Sequence, residues 1–127
     1  LLIWATKCNF ARDMQEMKIR NIFAYKNYFL HFLHKQKPKV KEKILWTFMV
    51  IETVEKIPSE YFKHIEGTDG LYEIRVQFGN DIFRIFCFFD NGSLVVLANG
   101  YQKKSQKTPK KEIEKALKIK DEYQNEK

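Results

Sequence analysis

The sequence predicts an α+β domain in the order helix, helix, three-stranded meander, helix. Two segments between Tyr28 and Glu55 carry apolar residues at helical spacing. Residues 71 to 98 hold three short runs of strand character, divided by Gly79-Asn80-Asp81 and Asp90-Asn91-Gly92. Helical spacing then resumes after Thr108-Pro109.

A chain of 127 residues with eleven Phe and six Tyr fits one folded domain, and that pattern leaves no sequence for a second core. Residues 17 to 127 form the expected domain. Residues 1 to 16 stand apart, because a Met first appears at Met17, just before Lys18-Ile19-Arg20. Two readings stay open for them: an upstream extension foreign to the domain, or an extra strand at Leu1 to Ala5 that pairs with it.

In chain order, Tyr28 to His34 places Phe29, Leu30, Phe32 and Leu33 on a first helix. Pro38 suits the first turn of a second, where its missing N–H has no intrahelical partner in any case. That helix should run to about Glu55, with Val40, Ile44, Phe48 and Ile51 on the face that packs on a sheet. Ile57-Pro58-Ser59 ends it, and a loop carrying His64 leads to Gly70. Strands follow at Leu71 to Phe78, Ile82 to Phe89 and Leu94 to Ala98, and their short connections force antiparallel neighbours. A further strand is expected at Lys18 to Ala24. Thr108 as N-cap, Pro109 at the first position and Glu112 in the first turn start the last helix, which ends near Tyr123.

Formal charge is +7, and the first sixteen residues add nothing, since Lys7 and Arg12 offset Asp13 and Glu16. The field favours nucleic acid, a membrane surface or an acidic protein. No apolar stretch approaches the roughly 20 residues that cross a bilayer, so no membrane role is expected. Cys8 and Cys87 lie in no paired motif, and Cys87 sits in the apolar run Ile85 to Phe89, so a reducing, cytoplasmic setting fits. Metal chemistry finds little support: His31 and His34 are three apart with no carboxylate at ligand spacing, and His64 stands alone. No cofactor is expected either, because the five Gly are isolated turn residues rather than a phosphate loop.

What remains is a cluster of cations. Arg75 and Arg84 fall on adjacent meander strands, and Lys103, Lys104 and Lys107 follow the third. Arg84 interrupts an otherwise apolar strand, where an unpaired guanidinium would be costly. It is therefore paired with Glu73 or Asp90, exposed, or used. Seven lysines between Lys103 and Lys118 make a basic stretch suited to nucleic acid, or simply a solvated helix face. Cleaving RNA through its own 2′-OH needs a proton acceptor, charge stabilisation at the phosphoryl oxygens and a proton for the leaving oxygen. Arginines match the second task. Lys103, Lys104, Lys107, Tyr101 and His64 are the candidates for proton transfer.

The segments Gly70 to Val76, Ile82 to Phe89 and Gly100-Tyr101-Gln102-Lys103-Lys104-Ser105-Gln106-Lys107-Thr108-Pro109-Lys110-Lys111 together resemble the RelE/ParE toxin superfamily, and within it the HigB-like branch related to phage proteins. The resemblance implies a RelE-like fold, with two N-terminal helices packed on a twisted antiparallel sheet and a short C-terminal helix. It also implies a ribosome-dependent endoribonuclease toxin of a type II toxin-antitoxin system, an mRNA interferase that cuts translated messenger without metal. Its partners would be the ribosome with its mRNA and a cognate antitoxin of helix-turn-helix type, with operator DNA reached only through the antitoxin complex. Arg84 matches the arginine at the scissile phosphate, and Arg75 a basic residue of the preceding strand. Lys104 and Lys107 join them as catalytic candidates, while Lys103, Lys104, Lys107, Tyr101, Lys110, Lys111 and His64 are the candidate RNA contacts. Two departures bear on mechanism: Glu73 stands where some members are basic, and Thr108 stands near the place of a late tyrosine or histidine. Members of the ParE type act on gyrase instead, so a non-cleaving toxin or an RNA-binding module is the alternative.

Overall fold

A computed structural model describes residues 17–127 of the chain. Their elements are β1 (Asn21–Ala24), α1 (Tyr28–His34), α2 (Pro38–Thr53), β2 (Phe62–His64), β3 (Tyr72–Phe78), β4 (Asp81–Asp90), β5 (Leu94–Lys103) and α3 (Lys110–Asn125). The strands form one sheet in the order β1-β5-β4-β3-β2. The α+β class and the helix, helix, meander, helix order are as the sequence predicts. The expected strand at Leu1 to Ala5 lies outside the described residues.

Several details differ. The sheet is mixed rather than antiparallel throughout, because β1 runs parallel to β5, with Asn21 opposite Leu94 and Ala24 opposite Leu97. The presumed loop before Gly70 contains β2, which pairs antiparallel with β3. The third meander strand continues past Ala98 to Lys103, and α3 starts at Lys110 with Pro109 as its N-cap and no side-chain cap from Thr108.

Each face of the sheet is apolar where a helix covers it. On one face α1 and α2 bury Phe29, Phe32, Val40, Ile44, Phe48 and Ile51 against Ile74, Val76, Phe83, Ile85, Cys87, Val95 and Leu97. On the other, α3 sets Ala116 and Ile119 over Leu71, Phe86, Phe88, Val96 and Ala98. Burying a side chain such as Phe86 contributes about 1.5–3 kcal/mol. Cys87 is part of the first layer, and burial pushes its thiol well above the usual range.

Three local devices fix this arrangement. Arg20 ties down the end of α2, its Nη1 donating to the carbonyl of Ile51 (3.0 Å), which the helix end leaves unpaired, and to that of Val54 (2.7 Å), and its Nη2 to that of Glu55 (2.6 Å) just beyond the helix. Asn91 and Gly92 both take left-handed backbone angles in the tight β4–β5 connection. Gly100 lies under Phe32, where an added Cβ would come within 2.6 Å of the ring. No helix among the described residues is long and apolar enough to cross a membrane.

Candidate functional site

The α3 face of the sheet is covered over only part of its length. Antiparallel pairing places Glu73 opposite Phe86, Arg75 opposite Arg84, and Arg84 opposite Tyr101, so one row runs Arg75-Arg84-Tyr101 across three strands. Lys63 stands opposite Glu73, and Lys103 opposite Ile82, which brings both onto the same face.

A β-bulge makes this row possible. Ile85 pairs with Gly100 and Cys87 with Leu97, so Ala98 and Asn99 together stand opposite Phe86. Val96 and Ala98 point toward α3, and simple alternation from them would put Gly100 and Gln102 on that side. The extra residue shifts the alternation, turning Tyr101 and Lys103 toward Arg84. Tyr101 stacks on Phe86 with ring centroids 5.7 Å apart, which carries the covered half directly into the polar one.

Electrostatics in this row are tight and incomplete. Arg84 is 6% exposed and Glu73 7%. Glu73 lies between the arginines, with Oε1 3.6 Å from Arg75 Nε and Oε2 3.7 Å from Arg84 Nε. Both distances are within ion-pair range and too long for a hydrogen bond. Arg84 Nη1 donates to the Phe83 carbonyl at 3.1 Å and Arg75 Nη1 to that of Ser59 at 3.4 Å. Glu73 Oε2, Arg75 Nε, Arg84 Nε and Tyr101 OH are all buried without a hydrogen-bond partner. Buried polar atoms are rarely left so, and four on one face mark a place where a polar ligand would complete them.

Burial lowers the Arg84 pKa, helped by Arg75 and opposed by Glu73 and Tyr101. Arginine retains its charge near neutrality regardless. Burial also raises the Tyr101 hydroxyl, with Glu73 and Glu112 adding to the shift. Thr108 pulls the other way but makes no hydrogen bond of full geometry to it. Tyr101 therefore keeps its proton and can donate it. Lys103 is lowered, first by partial burial and then by Arg84 and other cations that outweigh Glu73.

Of the residues expected at a site, the structure gathers Arg75, Arg84, Tyr101 and Lys103. Lys104 and Lys107 lie exposed in the segment between β5 and α3, and Lys110 and Lys111 lie exposed on the first turn of α3. None of the four is in the row that the strand register defines. His64 is placed elsewhere: it is opposite Tyr72, on the α2 face, where its ring meets Tyr72 edge-on at 5.2 Å and Nε2 contacts the Thr68 carbonyl. Lys63 and Glu73 are the residues that the expected site lacked. Neither group of three metal-binding side chains nor any larger one occurs among the described residues.

Residues 31–121 match the family described as phage-derived protein Gp49-like (DUF891). The chain belongs to that family. The matched stretch runs from α1 through most of α3 and so contains every residue of the row. No curated protein matches the sequence.

Proposed function

We propose that this Gp49-like protein is a ribosome-dependent endoribonuclease, the toxin of a type II toxin-antitoxin pair, and that the Arg75-Arg84-Tyr101 row holds the scissile phosphate of messenger RNA. The single observation that carries the reading is the convergence of unpartnered buried donors from Arg75, Arg84 and Tyr101 on one stretch of sheet beyond the reach of the α3 apolar layer. A phosphodiester offers the acceptor oxygens that these donors lack, and guanidinium forks fit such oxygens well.

Roles follow from the charge states. Arg84 and Arg75 stabilise the negative charge that grows on the non-bridging oxygens as the 2′-oxygen attacks phosphorus. Glu73, the one carboxylate of the row, accepts the 2′-OH proton. Tyr101, which keeps its proton, donates to the departing 5′-oxygen, so the P–O5′ bond breaks as the P–O2′ bond forms and a 2′,3′-cyclic phosphate results. Lys63, Lys103, Lys104, Lys107, Lys110 and Lys111 supply a positive rim for the flanking backbone. The partners of this reading are the translating ribosome in the cytoplasm and an antitoxin whose acidic or helical surface covers the row. Operator DNA is reached through a helix-turn-helix antitoxin.

One observation favours a second reading. Glu73 offsets part of the arginine charge, and Arg84 is almost wholly enclosed. A non-cleaving module that only binds RNA, or one that acts on gyrase, would tolerate such an enclosed pair. A translation reaction programmed with end-labelled messenger separates the two. Ribosome-dependent cuts by the wild type that vanish in Arg84→Ala are expected; intact messenger despite arrested growth would sink the nuclease reading.

A further inference from the structure

Beside the arginine row, at the edge of β3 beyond the end of β2, the surface sinks into a cavity of about 320 Å³ lined by Lys43, Glu60, Tyr61, Arg75, Val76, Gln77 and Arg84. We infer that this cavity is a nucleobase subsite that takes a guanine next to the phosphate held by Arg75 and Arg84. The inference rests on the nuclease reading and adds which base that enzyme selects.

Three features support it. Arg75 and Arg84 line both the cavity and the row, so a nucleotide whose phosphate meets the arginines has its base within reach of the cavity. Its size exceeds that of a single flat base. The walls are also of the right kind. Tyr61 is half-buried and braced edge-on by Trp46 at 5.6 Å, while Lys43 lies 4.4 Å over the Trp46 ring. The result is a supported aromatic surface with a cation beside it, and bases of single-stranded RNA stack on such surfaces. The Tyr61 backbone is independently held, its N–H donating to the Pro58 carbonyl at 3.0 Å and its carbonyl accepting from Arg75 N–H at 2.8 Å. The chain path at Tyr61 therefore does not depend on a hydrogen bond from its side chain.

The polar groups at the wall decide which base fits. Glu60 is exposed and, among the described residues, engages in no ion pair or side-chain hydrogen bond; a carboxylate only accepts. Gln77 donates through Nε2 to the Gly79 carbonyl at 3.2 Å, which leaves its Oε1 as an acceptor. A wall of two acceptors calls for a base edge with adjacent donors. Guanine presents N1–H and the N2 amino group side by side; adenine and cytosine each present one amino group next to an acceptor, and uracil a lone N–H.

The test is to map cut sites of the wild type, Glu60→Gln, Tyr61→Ala and Tyr61→Phe on ribosomes translating a message of varied sequence. The wild type should cut with guanine preferred at one position flanking the scissile bond. Glu60→Gln should relax that preference roughly tenfold, as loss of one specific base contact does. Tyr61→Ala should slow cutting at those sites about tenfold, and Tyr61→Phe should restore it, since the ring face and not the hydroxyl does the stacking. Cutting by the wild type without guanine beside the bond, or an unchanged pattern in Glu60→Gln and Tyr61→Ala, overturns the subsite while leaving the nuclease standing. No cutting by the wild type overturns the nuclease reading, and the subsite with it.

Discussion

Two halves of one sheet face, built from the same three strands, have opposite chemistry. Under α3, Leu71, Phe86, Phe88, Val96 and Ala98 meet Ala116 and Ile119 in an apolar layer. A few residues along the same strands, Glu73, Arg75, Arg84 and Tyr101 are enclosed to varying degrees and only partly paired. The first half contributes burial, which is favourable wherever apolar area leaves water. The second leaves hydrogen bonds unmade, a cost that a protein sustains where a ligand completes the set. On the proposed reading, stability and function are separated along a strand rather than between domains.

Substitutions in each half should break this contrast in different ways. Phe86→Ala empties the covered half and should cost about 3–5 kcal/mol of stability, read as a lower urea midpoint. It should also perturb Tyr101, which stacks on that ring. Arg84→Ala, in the polar half, should lower the cleavage rate about 100- to 1,000-fold, as losing one oxyanion donor does. Its midpoint should fall by less than that of Phe86→Ala, because Arg75 still faces the Glu73 carboxylate. Equal losses of stability in the two variants would erase the distinction. On the opposite face, Gly100→Ala drives a methyl into the Phe32 ring and should cost about 1–3 kcal/mol, with the β5 bulge as the strand's point of adjustment.

The smallest effect concerns how α3 is held over its half. Tyr25 OH donates to Glu126 at 2.5 Å, Tyr28 OH to Glu122 at 3.0 Å and Tyr123 OH to Asp90 at 2.6 Å, with Lys26 and Lys127 adding ion pairs. Hydrogen bonds from Lys127 and Tyr123 hold Asp90 below its usual range, those from Lys26 and Tyr28 do so for Glu122, and those from Tyr25 and Lys26 for Glu126. A depressed carboxylate binds fewer protons folded than unfolded. Its contribution is present above the ordinary pKa of about 4 and is lost as pH falls through the folded values. Amide exchange across α3 should therefore accelerate relative to that in β4 as pH falls below about 4. Tyr25 has the opposite sign: burial first, then Glu126, raises it to about 12, so its contribution is complete below the unfolded value of about 10 and fades as pH climbs beyond it. Tyrosinate absorbance during an alkaline titration reads this directly. Simultaneous loosening of α3 and β4 in acid would show that the clasp does not hold the helix separately.

Periodic elements were legible in the sequence and elements that depend on a neighbour were not. The α2 stripe and the alternation of Tyr72 to Phe78 announce themselves, because each buries a face with its own period. Phe62-Lys63-His64 has too few residues to show a period and becomes a strand because β3 offers it an edge. Missing that strand hid Lys63 and left the side of the sheet taken by His64 undetermined. The third strand is expected to end at Ala98, before Asn99-Gly100, yet Gly100 lies inside β5 and serves close approach to Phe32. That misreading ended β5 too soon and placed Tyr101 and Lys103 in a loop. Arg75 and Arg84 were foreseeable as neighbours because a short connection fixes their pairing; the bulge that turns Tyr101 toward them leaves no mark in the alternation of the isolated strand.

The parallel seam between β1 and β5 sets an order of events during synthesis. Asn21–Ala24 emerges early and has no edge to join until Leu94–Lys103 has been made. Until then it remains an unmatched strand, and the sheet cannot close by growth from β1. The meander must assemble first and then capture a segment made long before it, a late ring closure of the kind that slows folding. The arginine row, built from β3, β4 and β5 alone, can therefore form before that capture.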